Sequence, residues 1–304
     1  MPDGSKLMKK RLRDPTELDS FDKIKKLAVI AMVSDDELMD QLVLKGGNAI
    51  DLIYGLSGRA STDIDFSMER QFDADQLGSI SEKIERLLKD TFASSGLTAF
   101  DVKLSPQPPV INGAQRTFWG GYKVEFKVIP SDVYIDNVQD IKFLQRNASV
   151  IGPQDKRVFV IDISRFEYCT GKAKRDLDGY TVYVYTPEMI VIEKVRAICQ
   201  QVPEYRKIVK KHPETARARD FFDIYILMEH FPIDLNEPSN KLLIKKMFES
   251  KRVPLSFIKK VEGHKEFHRP DFDAVRDTVK GNVKLKGFDY YFDYVVSKLK
   301  SIKF

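Results

Sequence analysis

The sequence predicts an α+β protein in which a mixed sheet with flanking helices is followed by a helical C-terminal domain. Several short segments rich in β-branched and aromatic residues alternate with segments of helical periodicity in the first half. After Thr186-Pro187-Glu188 the sequence is almost wholly helical. We therefore expect an α/β core with N-terminal helices over residues 1–186 and a helical domain over residues 187–304.

The elements of the first third can be assigned from periodicity. Residues 17–42 place Leu, Ile, Val and Met at helical spacing and predict one or two helices. A further helix is expected to begin at Gly46-Gly47, with its apolar stripe in residues 49–56, and to be broken by Gly55 and Gly58. Residues 62–68 alternate as a short strand, and residues 74–93 return to helical spacing.

The remaining elements continue the alternation up to residue 186. Residues 98–105 and 122–129 predict strands, separated by a loop that Pro106, Pro108 and Pro109 impose. A helical stretch follows through about residue 148, and residues 157–164 and 180–185 predict the last strands. Thr186 as N-cap, Pro187 at the first helical position and an acidic first turn then predict a helix start.

Composition restricts the class of protein. A net charge of +5 over 304 residues permits contact with a phosphate-rich partner without requiring it. The two cysteines, Cys169 and Cys199, lack the spacing of metal ligands, which argues against a disulfide framework or a zinc site. The sequence has neither the apolar run of a signal peptide nor one long enough for a membrane helix, so we expect a cytoplasmic protein with no membrane partner.

An Asp-x-Asp pair is the first chemical signal. Asp63 and Asp65 are two residues apart in an apolar strand, so both carboxylates are expected on one face while Ile64 and Phe66 face a core. Two adjacent like charges repel unless a cation lies between them, and hard oxygen ligands suit Mg²⁺ or Mn²⁺. An arbitrary Asp-x-Asp is more often a solvated strand face, but the neighbouring residues favour a metal site.

Those neighbours suit a nucleoside triphosphate. Gly46 and Gly47 would let a phosphate approach backbone amides at a helix N-terminus, where the helix dipole also favours negative charge. Asn48 could cap that helix or hydrogen-bond a phosphate oxygen. Arg59 and Ser61 precede the acidic strand and could contact the triphosphate or a ribose. The alternatives are a plain turn before a helix for Gly46-Gly47 and an exposed loop for Arg59 and Ser61.

Two-metal phosphoryl transfer usually needs a third carboxylate on a neighbouring strand. Asp162 and Glu125 are the candidates. Asp162 lies between apolar residues, where an unpartnered acid is costly, and this favours it. Glu125 could instead pair with Lys123 or Lys127 on its own face.

Two helical segments of the second half contain further candidates. Lys194, in an apolar helix, could reach metal-bound phosphates; pairing with Glu193 or snorkelling to solvent is the alternative. The segment Arg219-Asp220-Phe221-Phe222-Asp223 places Arg219 and Asp223 at i and i+4, which suits either a surface ion-pair ladder or a motif facing a cleft.

Taken together, these motifs resemble the AbiEii/AbiGii-type nucleotidyltransferases of bacterial abortive-infection and toxin–antitoxin systems, a branch of the DNA polymerase β superfamily. The matching segments run in the family's order over roughly residues 40–230. They are Gly46-Gly47-Asn48-Ala49 with Arg59-x-Ser61-x-Asp63-x-Asp65, then Ile161-Asp162-Ile163-Ser164, Glu193-Lys194-Val195-Arg196-Ala197, and Arg219-Asp220-Phe221-Phe222-Asp223. The resemblance implies a polymerase-β-like nucleotidyltransferase core.

The resemblance also implies residue roles. Asp63, Asp65 and Asp162 would hold the metal ions, Gly47 and Ser61 would hold phosphates, and Lys194 would act on the triphosphate. Asp220 would lie at the cleft and orient the acceptor or Lys194. The family more often has threonine where this chain has Asn48, a departure that keeps a hydrogen-bonding side chain.

The sequence hypothesis is therefore metal-dependent transfer of a nucleoside monophosphate from an NTP to an acceptor, either RNA (such as a tRNA 3′ end) or protein. The resemblance adds a toxin role and a cognate antitoxin. A metal-dependent glycosyltransferase would share the Asp-x-Asp but would not need the Gly-Gly helix start or the lysine helix. A phosphatase would need a Gly-Thr continuation that is missing after Asp65. A catalytically silent nucleotide- or antitoxin-binding module is the third alternative.

Overall fold

The computed structural model describes residues 15–56, 58–59, 63–111, 113–150, 156–210, 212–279 and 284–304. The strands are β1 (Val43–Lys45), β2 (Ile64–Ser67), β3 (Leu97–Gln107), β4 (Gly121–Pro130), β5 (Phe159–Ser164), β6 (Ala173–Leu177) and β7 (Tyr180–Val184). The helices are α1 (Pro15–Val33), α2 (Asp36–Gln41), α3 (Gly46–Asn48), α4 (Leu77–Ala93), α5 (Ser131–Asp136), α6 (Ile141–Asn147), α7 (Pro187–Cys199), α8 (Ala218–His230), α9 (Pro238–Ser250), α10 (Lys265–His268), α11 (Phe272–Thr278) and α12 (Phe288–Lys300).

The strands form one mixed sheet in the order β3-β4-β5-β2-β1-β7-β6. The short strand β2 lies near the middle, parallel to β5 on one side and antiparallel to β1 on the other. Along β5 every second residue is buried, with Phe159, Ile161 and Ile163 on the core face. The alternation fixes which side chains of β2 and β5 remain available on the opposite face.

The predicted mixed sheet with flanking helices and a helical C-terminal half is confirmed. Residues 17–42 form α1 and α2, and α7 begins at Pro187 with the Thr186 hydroxyl accepting from the Met189 amide at 3.3 Å. The helix at the glycines is also present, as α3 followed by a π-helical turn over Ala49–Ile53.

Two strands and one strand end differ from the prediction. β1 has three residues and β6 is mostly polar, so neither shows the alternation from which a strand is predicted. β3 continues through Pro106, where a loop was expected. Because β3 is an edge strand, a residue without an amide hydrogen can occupy it without losing a ladder bond.

The hydrophobic core extends across both halves of the chain. One cluster of buried side chains includes Phe66 and Ile161 from the sheet, Ile190 from α7, Phe221 from α8 and Phe292 from α12. Helix α7 packs against α8 and α9 and thereby connects the sheet to the C-terminal helices. The domain boundary at residue 187 stays a prediction. Among the helices of the described ranges, none is long and apolar enough to span a bilayer.

Candidate active site

A cleft of about 640 Å³ lies where the sheet meets the C-terminal helices. Its described walls include residues of β1, β2 and β5, the start of α3, and α7 and α8. The predicted site residues that line it are Gly46, Gly47, Arg59, Asp63, Asp65, Asp162, Lys194 and Asp220. Folding therefore brings segments from four distant parts of the sequence to one cavity.

The carboxylates of β2 and β5 lie side by side. Asp65 and Asp162 are direct register partners on adjacent parallel strands, and Asp63 precedes β2 at the cleft wall. Burial raises the pKa of Asp65 to about 7; Lys45 opposes the rise, whereas Asp162 adds to it. Burial likewise raises the pKa of Asp162, opposed by Lys123 and reinforced by Asp63. The three aspartates thus concentrate negative charge at one point of the cleft.

This donor set fits a hard divalent cation by its chemistry. Carboxylate oxygens are the ligands that Mg²⁺ and Mn²⁺ prefer, and a cation would relieve the repulsion that helps to raise the pKa of Asp65. As the side chains stand, no group of three His, Cys, Asp or Glu residues in the described part of the chain is close enough to hold a metal. Binding would therefore require the carboxylates to rotate towards the ion.

The second candidate for the third acid lies farther away. Glu125 is on β4, opposite Val160 of β5 and Lys103 of β3, and it is not among the residues that line the cleft. Asp162 is both beside Asp65 and at the cleft. The geometry favours Asp162, and its role as a ligand stays a prediction.

The glycine turn is closely fitted to the acidic strand. Gly46 has φ +68°, and a Cβ added there would lie 2.6 Å from Asp65 Oδ2. Asn48 does not cap the helix, because the N-cap position is Lys45. Its buried side-chain amide instead donates to the Asp63 carbonyl at 2.5 Å, which holds the acidic segment against α3. A phosphate contact by Asn48 would require that donor to be released.

Arg59 is paired within the protein. Its Nε and one terminal nitrogen bind the two carboxylate oxygens of Asp223 at 2.8 and 2.7 Å. Arg59 also lines the cleft, so its predicted contact with the triphosphate stays open as a prediction. Ser61 lies outside the described residues.

Lys194 makes neither of the pairings considered as alternatives. Its ammonium is buried and lies 2.8 Å from Asp220 Oδ1 and 2.8 Å from Asp223 Oδ2. These carboxylates outweigh the effect of burial and raise the pKa of Lys194. Burial favours the neutral form of Asp223, but Arg59 and Lys194 outweigh burial and lower the pKa of Asp223 to about 2. The i, i+4 ladder is absent, since the exposed Arg219 pairs with Asp271 at 3.5 Å instead.

A second buried ionic network, which sequence reasoning missed, forms the floor of the cleft. Glu167 Oε2 accepts from Arg196 at 2.7 Å, and its other oxygen lies 3.3 Å from Lys251 Nζ and 3.7 Å from Lys45 Nζ. Lys45 also lies 3.5 Å from Glu193. Burial favours the neutral form of Glu167, but the three cations prevail and hold its pKa well below its usual range.

Some of these residues left a sequence signal. Glu193 and Arg196 are oppositely charged residues three apart in a helix rich in apolar residues, a spacing that suits an ion pair. Lys45 directly follows the apolar run Leu42-Val43-Leu44. Lys251 gave no signal, because it reaches the site only through the packing of the C-terminal half.

The fold and the cleft define a class of protein. The cleft brings together aspartates on adjacent strands, a Gly-Gly helix start and a buried lysine of α7, which are the motifs that resemble nucleotidyltransferases. Residues 29–294 match the family described as nucleotidyl transferase AbiEii toxin, type IV TA system. The chain belongs to this AbiEii family of nucleotidyltransferase toxins and is a nucleotidyltransferase.

Solved structures also match the chain at low sequence identity, and the first of the following two has the same fold. MenT4, a nucleotidyltransferase toxin from Mycobacterium tuberculosis H37Rv, is 15% identical, with 94% of this chain and 85% of that chain covered and a TM-score of 0.51. JHP933 from Helicobacter pylori is 16% identical, with 95% of this chain and 92% of that chain covered and a TM-score of 0.44. A comparison with curated proteins gives no match.

Proposed function

We propose that this chain transfers a nucleoside monophosphate from an NTP to a hydroxyl of an RNA acceptor, such as a tRNA 3′ end, in a reaction that depends on Mg²⁺ or Mn²⁺. The modification would disable the RNA and arrest growth, and a cognate antitoxin would counteract it. Family membership supports the transfer chemistry and the toxin role. The acceptor and the metal dependence are the parts that need a test.

One observation carries the proposal: Asp65 and Asp162 are register partners on parallel strands at the wall of a cleft. A surface pair of aspartates would keep an ordinary pKa in water. Here burial raises the pKa of both carboxyls, with repulsion from Asp162 adding to the rise at Asp65 and repulsion from Asp63 adding to the rise at Asp162, and folding maintains that unfavourable arrangement. Bound between them, a divalent ion would stabilise the negative charge that develops on the transferred phosphoryl group.

The chain's own residues have distinct tasks in this scheme. Asp63, Asp65 and Asp162 would hold the ion, and the open space at Gly46 and Gly47 would admit the triphosphate. The acceptor oxygen forms a bond to the α-phosphorus while the bond from that phosphorus to the β-phosphate bridging oxygen breaks, so pyrophosphate leaves with the electron pair.

Two further side chains would assist the transfer. The acceptor hydroxyl proton would pass to Asp162, which lies beside Asp65 at the cleft wall. Asp220 borders the same cleft; its Oδ1 accepts from Lys194 at 2.8 Å, and its buried Oδ2 lies 3.5 Å from the Arg217 guanidinium. Asp220 would therefore orient Lys194, and its carboxylate would accept from a hydroxyl of the bound RNA only after Oδ2 becomes accessible.

The test is incorporation of label from each of the four α-³²P NTPs into total tRNA, with Mg²⁺ present. We expect label in RNA with wild type and its loss with Asp63→Ala in a folded protein. Label on protein alone would replace the RNA acceptor by a protein acceptor. Retained transfer by folded Asp63→Ala would contradict the site assignment.

A matched pair of variants tests the third acid. Asp162→Asn should lower transfer at least about 100-fold, because it removes both a ligand and the base. Glu125→Gln changes the same functional group one strand away and should leave transfer within about threefold. Equal losses in both variants would contradict the choice of Asp162.

A further inference from the structure

A groove of about 660 Å³ adjoins the cleft and is lined by three arginines and one glutamate. The arginines are Arg70, Arg116 and Arg165, and the glutamate is Glu69. Pro108 lines both the groove and the cleft, so the two cavities are adjacent. Arg165 directly follows β5, three residues after Asp162.

The arginines of this groove have no carboxylate partner among the described residues. Arg165 donates to Gln71 Oε1 at 3.1 Å and to the Trp119 carbonyl at 3.4 Å, and Arg116 donates to the Ile111 carbonyl at 2.7 Å. Arg269, by contrast, is paired with the carboxylates of Glu266 and Asp289. The glutamate of the groove is itself engaged, because Glu69 accepts from the Cys169 amide at 3.2 Å and the Thr170 hydroxyl at 3.3 Å.

Aromatic rings hold the nearby guanidinium groups in place. Arg165 lies 5.1 Å from the ring centroid of Phe166 and 5.7 Å from that of Tyr122. Arg252 lies 4.2 Å over the Phe118 ring and donates to the hydroxyl of Thr117, a groove residue, at 3.2 Å. Stacked arginines present a planar fork of donors that is already ordered, which suits a phosphate diester.

Lys251 links the backbone at Arg165 and Phe118 to the floor of the cleft. Its ammonium donates to the carbonyl of Arg165 at 2.5 Å and to that of Phe118 at 3.4 Å, and it lies 3.3 Å from Glu167. Gly120 packs closely against the groove residue Ile111: its φ is +102°, and an added Cβ would lie 2.4 Å from Ile111 Cδ1. The groove is therefore built on the same buried ions as the cleft.

We propose that this arginine groove binds the phosphodiester backbone of a single-stranded RNA acceptor and leads its end into the cleft. The inference rests on the proposed function, because it assigns the path of the acceptor. Uncompensated arginines beside the transfer site match a chain with one negative charge per nucleotide. An acidic protein segment is the competing occupant, and the position of the groove beside the cleft where the acceptor hydroxyl must react favours RNA.

The experiment measures binding of a 5′-fluorescein-labelled, mixed-sequence, 16-nucleotide single-stranded RNA by anisotropy across a series of NaCl concentrations. It uses the full chain without NTP, so it does not depend on catalysis. The test variant is Arg70→Gln/Arg116→Gln, both at exposed positions. The control is Lys245→Gln/Lys246→Gln on α9, which removes the same two charges at exposed positions outside the groove. Melting temperatures verify that both variants fold.

We expect the test variant to lower the slope of log Kd against log[NaCl] by about 1.4, which is about 0.7 for each lost phosphate contact on a single strand. At 0.1 M NaCl this corresponds to about 25-fold weaker binding. The control should stay within about twofold of wild type, and Arg70→Lys/Arg116→Lys should recover most of the slope.

Other outcomes would overturn the assignment. An equal loss of affinity in the control would mean that the RNA binds without preference for the groove. An unchanged salt slope in the test variant would mean that the RNA does not contact the groove. Displacement of the RNA by poly-L-glutamate as efficiently as by unlabelled RNA would indicate a docking site for acidic protein. Wild type that binds the RNA but fails to label it would instead count against the proposed function.

Discussion

The buried pair of Arg59 and Asp223 offers a quantitative test of how the cleft is held together. Asp223 is shared by two cations, with contacts of 2.7 and 2.8 Å to Arg59 and 2.8 Å to Lys194. With Asp220 the four groups carry two positive and two negative charges, and their side chains are between 5% and 12% exposed; the more exposed Arg217 lies 3.5 Å from Asp220 at the edge of the cluster. Removing one member therefore leaves an unbalanced charge away from water.

The size of the effect depends on which charge is removed. Asp223→Leu leaves two buried cations with a single carboxylate and should lower the free energy of unfolding by about 3–5 kcal/mol. Arg59→Met leaves Asp223 paired with Lys194 and should cost about 2–3 kcal/mol, the loss of charge-assisted hydrogen bonds. The double variant restores balance through Lys194 and Asp220, so it should be about 2 kcal/mol less destabilised than the sum of the single variants.

The assay is urea unfolding of wild type, both single variants and the double variant, followed by circular dichroism. Arg206 and Glu214 provide a matched control, since their atoms are also 2.8 Å apart but their side chains are 50% and 48% exposed. The coupling energy of that exposed pair should be about 0.2–1 kcal/mol. A coupling between Arg59 and Asp223 no larger than the control value would refute the reasoning.

Three further predictions concern the cleft and its surroundings. Gly46→Ala should reduce nucleotidyl transfer at least about tenfold, because its Cβ would lie 2.6 Å from Asp65 Oδ2. The control is Gly55→Ala, since Gly55 has a similar φ of +66° and nothing within 4 Å of an added Cβ. In thermal unfolding the control should show only the cost of a left-handed backbone, about 1–2 kcal/mol, and it should keep its activity. Burial lowers the pKa of His268 from 6.5 to about 4, so between these pH values the unfolded chain binds one more proton than the folded chain. The free energy of unfolding therefore falls as pH falls, by at most about 1.4 kcal/mol per pH unit. His268→Phe should remove this contribution from a pH series of urea unfolding curves, and a pH dependence identical to that of wild type would contradict the prediction. Chelation of divalent ions with EDTA should abolish label transfer and added Mg²⁺ or Mn²⁺ should restore it, whereas transfer that persists in EDTA would exclude the metal-dependent scheme.

Much of the fold could be predicted because its signals are local. The start of α7 at Pro187 depends on a cap, a proline and an acidic residue that are adjacent in sequence. The alternation of β5 likewise placed Asp162 on the face opposite Ile161 and Ile163. β1 was missed because three residues do not make a pattern, although it supplies Lys45 to the cleft floor.

The residue types of the candidate site could be predicted from sequence, but which of its charged side chains contact one another could not. The aspartates, the glycines and Lys194 could be named from sequence, since their motifs are short and chemically restrictive. Which acid stands beside Asp65 depends on β2 and β5 being parallel neighbours, and no local pattern encodes that adjacency. The partner of Arg59 was equally hidden, because Asp223 is 164 residues away.

The sequence by itself determined the class of chemistry, since hard oxygen ligands, a glycine turn and a lysine helix in this order suit metal-assisted phosphoryl transfer. Tertiary structure alone decided how the charges are balanced: it gave Asp223 to both Arg59 and Lys194, and it surrounded Glu167 with Lys45, Arg196 and Lys251. The reason is that a buried charge must find its counter-charge in space, wherever the packing of the core brings one.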